Sequence, residues 1–368
     1  MKILILNWRD VRHPRAGGAD FRLQQVYAPL VRAGHTVVLY SCAFAGASRT
    51  DSIDGIRVFR VGNDLTFTLL CGLNLWKWVE EHRPDVVVED LNKLPFYSPL
   101  VYRGPLVVQM HHLWRGSIFR EVAWPIAGLI WLAEKLVRWV YRRCVFSVVS
   151  PSTKAELVEM GLPEKSIEVI YNGADLKAYH PVVGAKRKIL LWVGRIQRYK
   201  GPIQACQVLD LLQDSFPELE LVIVGDGPYR SKVEAYAAAR GLQVRFTGFI
   251  PKREKIALFQ RAAVHVQTSL KEGWGLSVIE ANACGCPVVA NDTTGLCDSV
   301  VAGETGLLYR YDDVADAAAK VRSVLMDENL CQRLTAAGLE RAGEFSWDRN
   351  SEEMLALLKR TVEEHTNA

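Results

Sequence analysis

A chain of 368 residues is too long for one ordinary hydrophobic core and suits two domains of about 150 to 200 residues each. With 49% hydrophobic and 23% charged residues, a disordered chain is excluded and a soluble globular protein is expected. The net charge of +4 is small but uneven, since residues 1–180 hold 22 Lys+Arg against 17 Asp+Glu. No nucleic-acid partner is expected. The eight cysteines are scattered, and Cys284 and Cys286 form a C-x-C pair without zinc-site spacing, so reduced, mostly buried thiols of a cytosolic protein are expected. "MKILILNWRD" lacks the pattern of a cleavable leader, and no run of about 20 uncharged apolar residues is present.

In chain order, the first strand is "KILILN", followed by "HPRAGGADFRLQQ", where Gly17 and Gly18 precede a helix beginning near Asp20. Glycines let a backbone approach a ligand and helix N-terminal amides favour an anion; a flexible turn is the other reading. "TVVLYS", "DVVVED", "PLVVQM" and "FSVVS" continue the series of continuous Val/Ile/Leu strands, the mark of a parallel sheet covered on both faces. His111 and His112 end the strand of "PLVVQMHHLWRG", with Trp114 just beyond; a structural and a functional role are both open for the histidines.

The stretch 115–143 combines Trp124, Trp131 and Trp139 with six cations (Arg115, Arg120, Lys135, Arg138, Arg142, Arg143) and two acids (Glu121, Glu134). Two readings stay open: an interfacial helix on an anionic membrane, or a core helix ending in solvated cations. After "YNGAD" the pattern restarts with "KILLWVG", "LELVIVG", "VRFTG", "AVHVQ", "CPVVA" and "GLLY". The expected division is 1–180, 181–345 and a tail, 346–368, whose helical face of Trp347, Met354, Leu355, Leu357 and Leu358 packs back on the N-terminal domain. Ligands of open parallel sheets bind at the carboxyl ends of strands, so two such sheets facing each other are expected to form a cleft.

In "VGRIQRYKG", Arg195 and Lys200 follow a strand and precede a helix, where a forked guanidinium and a point charge can neutralise a diphosphate. "VGDGPYR", from Gly225 to Arg230, is not a dinucleotide fingerprint, because Pro228 follows G-x-G and the third glycine is missing; it is read as a close-approach loop. In "SLKEGWGLSVIEANACGCPVVA" the helix is expected near Leu276, with Glu272 in the loop before it and Glu280 inside it. Carboxylates accepting from sugar or ribose hydroxyls are natural anchors in a cleft; a helix-start electrostatic role would cover Glu272 but not Glu280.

Taken together, the paired glycines after strand 1, the histidine, "IYNGADLKAYHP", "VGRIQRYKG", "GDGP" and "EGWGLSVIE" resemble the family 4 retaining glycosyltransferases of GT-B fold over nearly the whole chain. The resemblance implies an α/β fold of two Rossmann-like doubly wound domains. It implies that Arg195 and Lys200 bind the donor diphosphate, that Glu280 binds the ribose, and that Glu272 holds hydroxyls of the transferred sugar. The amides of Gly273, Trp274, Gly275 and Leu276 would approach sugar and phosphates, Gly225 would lie near the donor, and Phe249 and Ile250 would match the base-binding strand end. Gly17 and Gly18 would lie near diphosphate and acceptor. His111 would be the active-site histidine, with His112 where many members have Asp, and with Trp114 in the acceptor region.

The expected reaction is metal-independent transfer with retention from a UDP- or GDP-sugar, which is a co-substrate, with no cofactor. The expected acceptor is a saccharide or lipid-linked molecule, such as a cell-envelope saccharide, and the expected location is cytoplasmic or peripheral on the inner membrane face. A sugar-nucleotide epimerase of similar shape and a non-catalytic nucleotide-sugar binding protein are the alternatives.

Overall fold

The computed structural model describes residues 1–91, 94–182, 184 and 188–367, with Arg120 described in its backbone only. It divides into two compact units, Met1–Asn172 with Trp347–Ala368, and Gly173–Ser346. The junction expected near 176–186 falls partly outside the described residues, at 183, 185 and 186.

In the first unit the strands are β1 (Lys2–Leu6), β2 (Thr36–Cys42), β3 (Thr50–Ile53), β4 (Ile56–Val61), β5 (Val86–Leu91), β6 (Leu106–Met110), β7 (Val145–Val148) and β8 (Ile167–Val169). Its helices are α1 (Gly18–Arg32), α2 (Phe67–His82), α3 (Trp124–Val140), α4 (Pro151–Glu159) and the C-terminal α12 (Trp347–Thr366). The sheet order is β3-β4-β2-β1-β5-β6-β7-β8. All pairs are parallel except β3 with β4, a hairpin whose Asp54 and Gly55 both take positive φ. One face of the sheet supplies Leu4, Leu6, Val87, Val108 and Phe146 to a core with Phe67, Cys71 and Leu75 of α2 and Val137 of α3. α12 packs on α1, where Ser351 Oγ donates to the Val26 carbonyl at 2.7 Å.

The second unit holds β9 (Ile189–Val193), β10 (Glu220–Val224), β11 (Val244–Gly248), β12 (Val264–Gln267), β13 (Val288–Asn291) and β14 (Leu307–Tyr309), in the all-parallel order β11-β10-β9-β12-β13-β14. Its helices are α5 (Pro202–Asp210), α6 (Arg230–Ala239), α7 (Lys252–Arg261), α8 (Leu276–Ala283), the single turn α9 (Leu296–Ser299), α10 (Val314–Met326) and α11 (Glu328–Gly343). The core joins Leu190, Trp192, Leu221 and Val266 to Cys206 and Leu209 of α5 and Val321 of α10. Strands buried on both faces explain the uninterrupted apolar runs.

Each sheet has a point where the chain reverses its direction of travel across it. In the first it lies between β1 and β5, and in the second between β9 and β12. Loops leaving neighbouring strands there travel in opposite directions and leave a crevice at the carboxyl ends.

Candidate active site

The loops after β9 and β12 flank the reversal point of the second sheet, and they are tied together. Leu270 N donates to the Tyr199 carbonyl at 2.8 Å, and Trp192 Nε1 donates to Thr268 Oγ1 at 3.0 Å, whose hydroxyl in turn donates to the Gly201 carbonyl at 2.7 Å. Gly201 sits at φ +68°, and a Cβ there would lie 2.2 Å from the Thr268 carbonyl oxygen, so only glycine permits this approach. The tie holds two charged side chains in contact: Lys200 Nζ lies 2.5 Å from Glu272 Oε1. Gln267 Nε2 at 2.9 Å and Ser269 Oγ at 2.7 Å donate to the same oxygen, while among the described residues no donor reaches Oε2. Burial works against the Lys200 charge and so does nearby Arg195, but Glu272 with Tyr199 outweighs them, and the ammonium pKa stands above the usual lysine value.

Glu280 lies in α8, whose first residue is Leu276, the start expected from the sequence. Its two oxygens accept from Lys255 Nζ of α7 at 2.8 and 2.9 Å. Burial first, then the nearby Glu280 carboxylate, pushes the Tyr179 phenol pKa far above the tyrosine range. Between the two glutamates the Trp274 indole is buried edge-on against Phe345, with ring centroids 5.0 Å apart, so its side chain anchors the Gly-Trp-Gly turn in the core. Gly275 takes φ +93° at the start of α8.

Gly225 follows β10 at φ +124°, and a Cβ there would lie 2.0 Å from the Gly194 carbonyl oxygen. Ile196 N donates to the Asp226 carbonyl at 3.0 Å and Tyr229 N to the Ile196 carbonyl at 3.1 Å. The close approach of this loop is therefore to the Arg195 backbone, which it braces. Phe249 projects into solvent just beyond β11, 79% exposed, and Ile250 beside it is half-buried.

In the first unit Gly17 caps α1, and its amide donates to Asp20 Oδ2 at 2.8 Å. One of the amides expected to meet an anion is thus already satisfied by the helix's own carboxylate, whose other oxygen accepts from Asn7 Nδ2 at 3.0 Å. Burial raises the Asp20 pKa to about 6 despite these bonds. His111 Nε2 lies 3.0 and 3.2 Å from the two oxygens of Asp90, the penultimate residue of β5. His112 instead meets Trp114 edge-on at 5.0 Å. Trp114 N and Arg115 N donate to Glu134 Oε1 and Oε2 of α3 at 2.7 and 2.8 Å.

Sequence reasoning singled out neither Asp90, Lys255, Tyr179 nor Gln267 as site residues. Asp90 carried a signal, a carboxylate at the end of the strand "DVVVED"; Lys255, Tyr179 and Gln267 meet the two glutamates only through tertiary packing. His13, Cys42 and Asp64 bring one ligand atom each to within 4.8 Å of one another. Arg9 at 2.8 Å and Arg15 already hold Asp64, and cations beside the donor set oppose a metal dication.

Comparison with known proteins follows the same division of the chain. The family Glycosyltransferase Family 4 matches residues 16–178 and Glycosyl transferases group 1 matches residues 179–341. The glycogen synthase of Mycobacterium tuberculosis is 30% identical over 391 aligned positions, covering 94% of this chain and 92% of the relative. The structure of sucrose-phosphate synthase from Thermosynechococcus elongatus superimposes with a TM-score of 0.83 at 23% identity, covering 98% of both chains. That of Anabaena HepE in complex with UDP and glucose gives 0.79 at 20% identity, covering 98% of this chain and 100% of the other. The chain therefore belongs to the GT-B glycosyltransferases, with the family 4 and group 1 domains in tandem, and is a nucleotide-sugar-dependent glycosyltransferase.

Proposed function

We propose that this glycosyltransferase moves a sugar from a UDP- or GDP-sugar to a saccharide or lipid-linked acceptor, with retention and without metal. The observation that carries the reading is the Lys200–Glu272 pair, set with Arg195 at the reversal point of the second sheet. A buried ion pair broken on one side only costs several kcal/mol, about 3 to 5. A donor sugar diphosphate replaces both sides at once: its phosphates take Lys200 and Arg195, and its sugar hydroxyls donate to Glu272, whose Oε2 is ready to accept.

As the anomeric bond breaks, negative charge grows on the leaving phosphate and positive charge at the sugar carbon. Fixed cations and the amides of Gly273–Leu276 stabilise that separation at no further reorganisation cost. In this reading the leaving phosphate accepts the acceptor's proton, so the acceptor attacks the face the phosphate leaves and the configuration is kept. Glu280 takes the ribose hydroxyls in exchange for Lys255, Phe249 and Ile250 stand at the base end, and Gly225 braces the Arg195 loop. On the acceptor side stand His111, oriented by Asp90, with His112 and Trp114. The envelope setting proposed for the acceptor draws support from the cations and tryptophans of 115–143, and implies work at a membrane surface.

The test is nucleotide release from a panel of UDP- and GDP-sugars, with and without acceptor and with and without chelator, followed by NMR of the product anomer. Acceptor-dependent release insensitive to chelator, with the donor's anomeric configuration kept, is expected. An inverted product or chelator-abolished turnover would remove the finer reading, and an altered free sugar nucleotide formed without acceptor would favour an epimerase.

A further inference from the structure

The helix α3 is turned inside out relative to an ordinary surface helix. Only Ala127, Glu134 and Val137 are buried, while Trp124, Ile126, Leu129, Leu132, Leu136 and Trp139 are 42–75% exposed. A second element shares the exposure: Leu69, Leu73 and Trp76 recur at helical spacing along α2 and are 54–65% exposed, and Leu65 just before the helix is 91% exposed. Both helices cover the same face of the first sheet, since Cys71 and Leu75 of α2 and Val137 of α3 enter one core. Residues 96–101, ahead of β6, link them, with Tyr97 Oη donating to the Ala133 carbonyl of α3 at 3.1 Å and exposed Leu100 and Val101 alongside. Apolar surface on this scale, far beyond scattered single residues, marks an interaction site.

Charge decides the occupant. Lys135, Arg138, Arg142 and Arg143 rim the α3 face and Lys77 the α2 face, against Glu80 and Glu81 at the far end of α2. Lys135 Nζ lies 4.2 Å from the Trp131 ring centroid, the Arg138 guanidinium 4.4 Å from that of Trp139, and Lys77 Nζ 5.4 Å from that of Trp76. Tryptophan paired with a cation beside an apolar face is the arrangement that suits the headgroup level of an anionic bilayer. A second copy of this face would instead set like charges together. The face is also coupled to the candidate site, because Glu134 of α3 holds the amides of Trp114 and Arg115, two and three residues beyond His112.

We propose that α2 and α3 together form one docking face for an anionic lipid surface, and that docking brings the His111 strand end to the headgroups, where a lipid-borne acceptor is presented. The purpose rests on the acceptor proposed above, but vesicle binding needs neither donor nor acceptor, so nucleotide release measured without vesicles fails or holds independently. The experiment is co-sedimentation of the full chain with phosphatidylcholine vesicles and with vesicles of equal parts phosphatidylcholine and phosphatidylglycerol. Binding to the anionic vesicles is expected, weakened at least about tenfold by Leu69→Ser/Leu73→Ser/Trp76→Ser in α2, which removes no cation. Replacing Arg138, Arg142 and Arg143 by Gln should cost about fivefold per cation on anionic vesicles, roughly a hundredfold in all, and little on neutral ones. These side chains are exposed, so folding is not at stake. Equal binding to both vesicle types, undiminished binding by the α2 variant, or no vesicle binding with a dimer that the α2 variant dissociates in light scattering would overturn the proposal.

Discussion

The Lys200–Glu272 pair allows a structural and a catalytic role to be separated. Lys200→Met removes the cation and leaves Glu272 with Gln267 and Ser269 as neutral donors. Full burial would make the loss about 3 to 5 kcal/mol of stability. The side chains are 17% and 12% exposed and two donors remain, so about 1 to 2 kcal/mol is expected. Glu272→Gln in the same chain removes the uncompensated carboxylate and should return stability to within about 1 kcal/mol of the starting protein. Turnover should behave oppositely. Losing a fixed cation at the leaving phosphate is expected to lower kcat by about 10²–10³, about 2.7 to 4 kcal/mol, and the double variant should be at least as slow. The assays are urea unfolding and single-turnover nucleotide release at saturating donor. Near-normal release by Lys200→Met, or release restored in the double variant, would show that Lys200 serves only to neutralise Glu272.

Glu280→Ala frees Lys255 and removes a charged acceptor; KM for the donor should rise about 10- to 100-fold with kcat little changed, read by steady-state kinetics. Asp90→Asn keeps the size of the partner of His111 but not its charge or acceptor pattern, so kcat with acceptor should fall at least about tenfold while donor binding, measured by calorimetry, is unchanged. Asp20 and His13 pull stability in opposite directions with pH. Asp20 has a folded pKa raised to about 6, so its contribution is present below the unfolded value near 4 and is lost as pH rises towards 6. His13 has a folded pKa lowered to about 4, chiefly by burial and then by Arg9 and Arg15, so its contribution is gained as pH rises from about 4 to 6.5. Asp20→Asn should therefore make urea stability rise with pH across that window relative to the starting protein, by at most about 3 kcal/mol; an unchanged profile would contradict the burial argument.

Helix starts and strand cores were legible because they obey local rules. The start of α8 at Leu276 follows from the glycine-rich turn before it, and the continuous apolar strands could only be buried on both faces. The β3–β4 hairpin leaves no continuous apolar run in the sequence, because "IRVFRV" alternates polar and apolar residues. Its Asp54-Gly55 turn was the signal present in the sequence. For 115–143 the two readings could not be separated by composition, since the same residues make a core helix or an outward apolar one. Only the packing shows that Ala127, Glu134 and Val137 are the inward face.

The sequence by itself determined the fold class, the succession of strands, the loops that carry charge, and the family resemblance, because hydrophobic periodicity and turn residues act over a few positions. Tertiary structure alone decided which charges meet. Lys200 and Glu272 are 72 positions apart, and Lys255 and Glu280 are 25 apart. Their contact exists because strand order brings β9 beside β12 and lays α7 against α8, and side-chain pairing at a few ångströms leaves no trace in local periodicity.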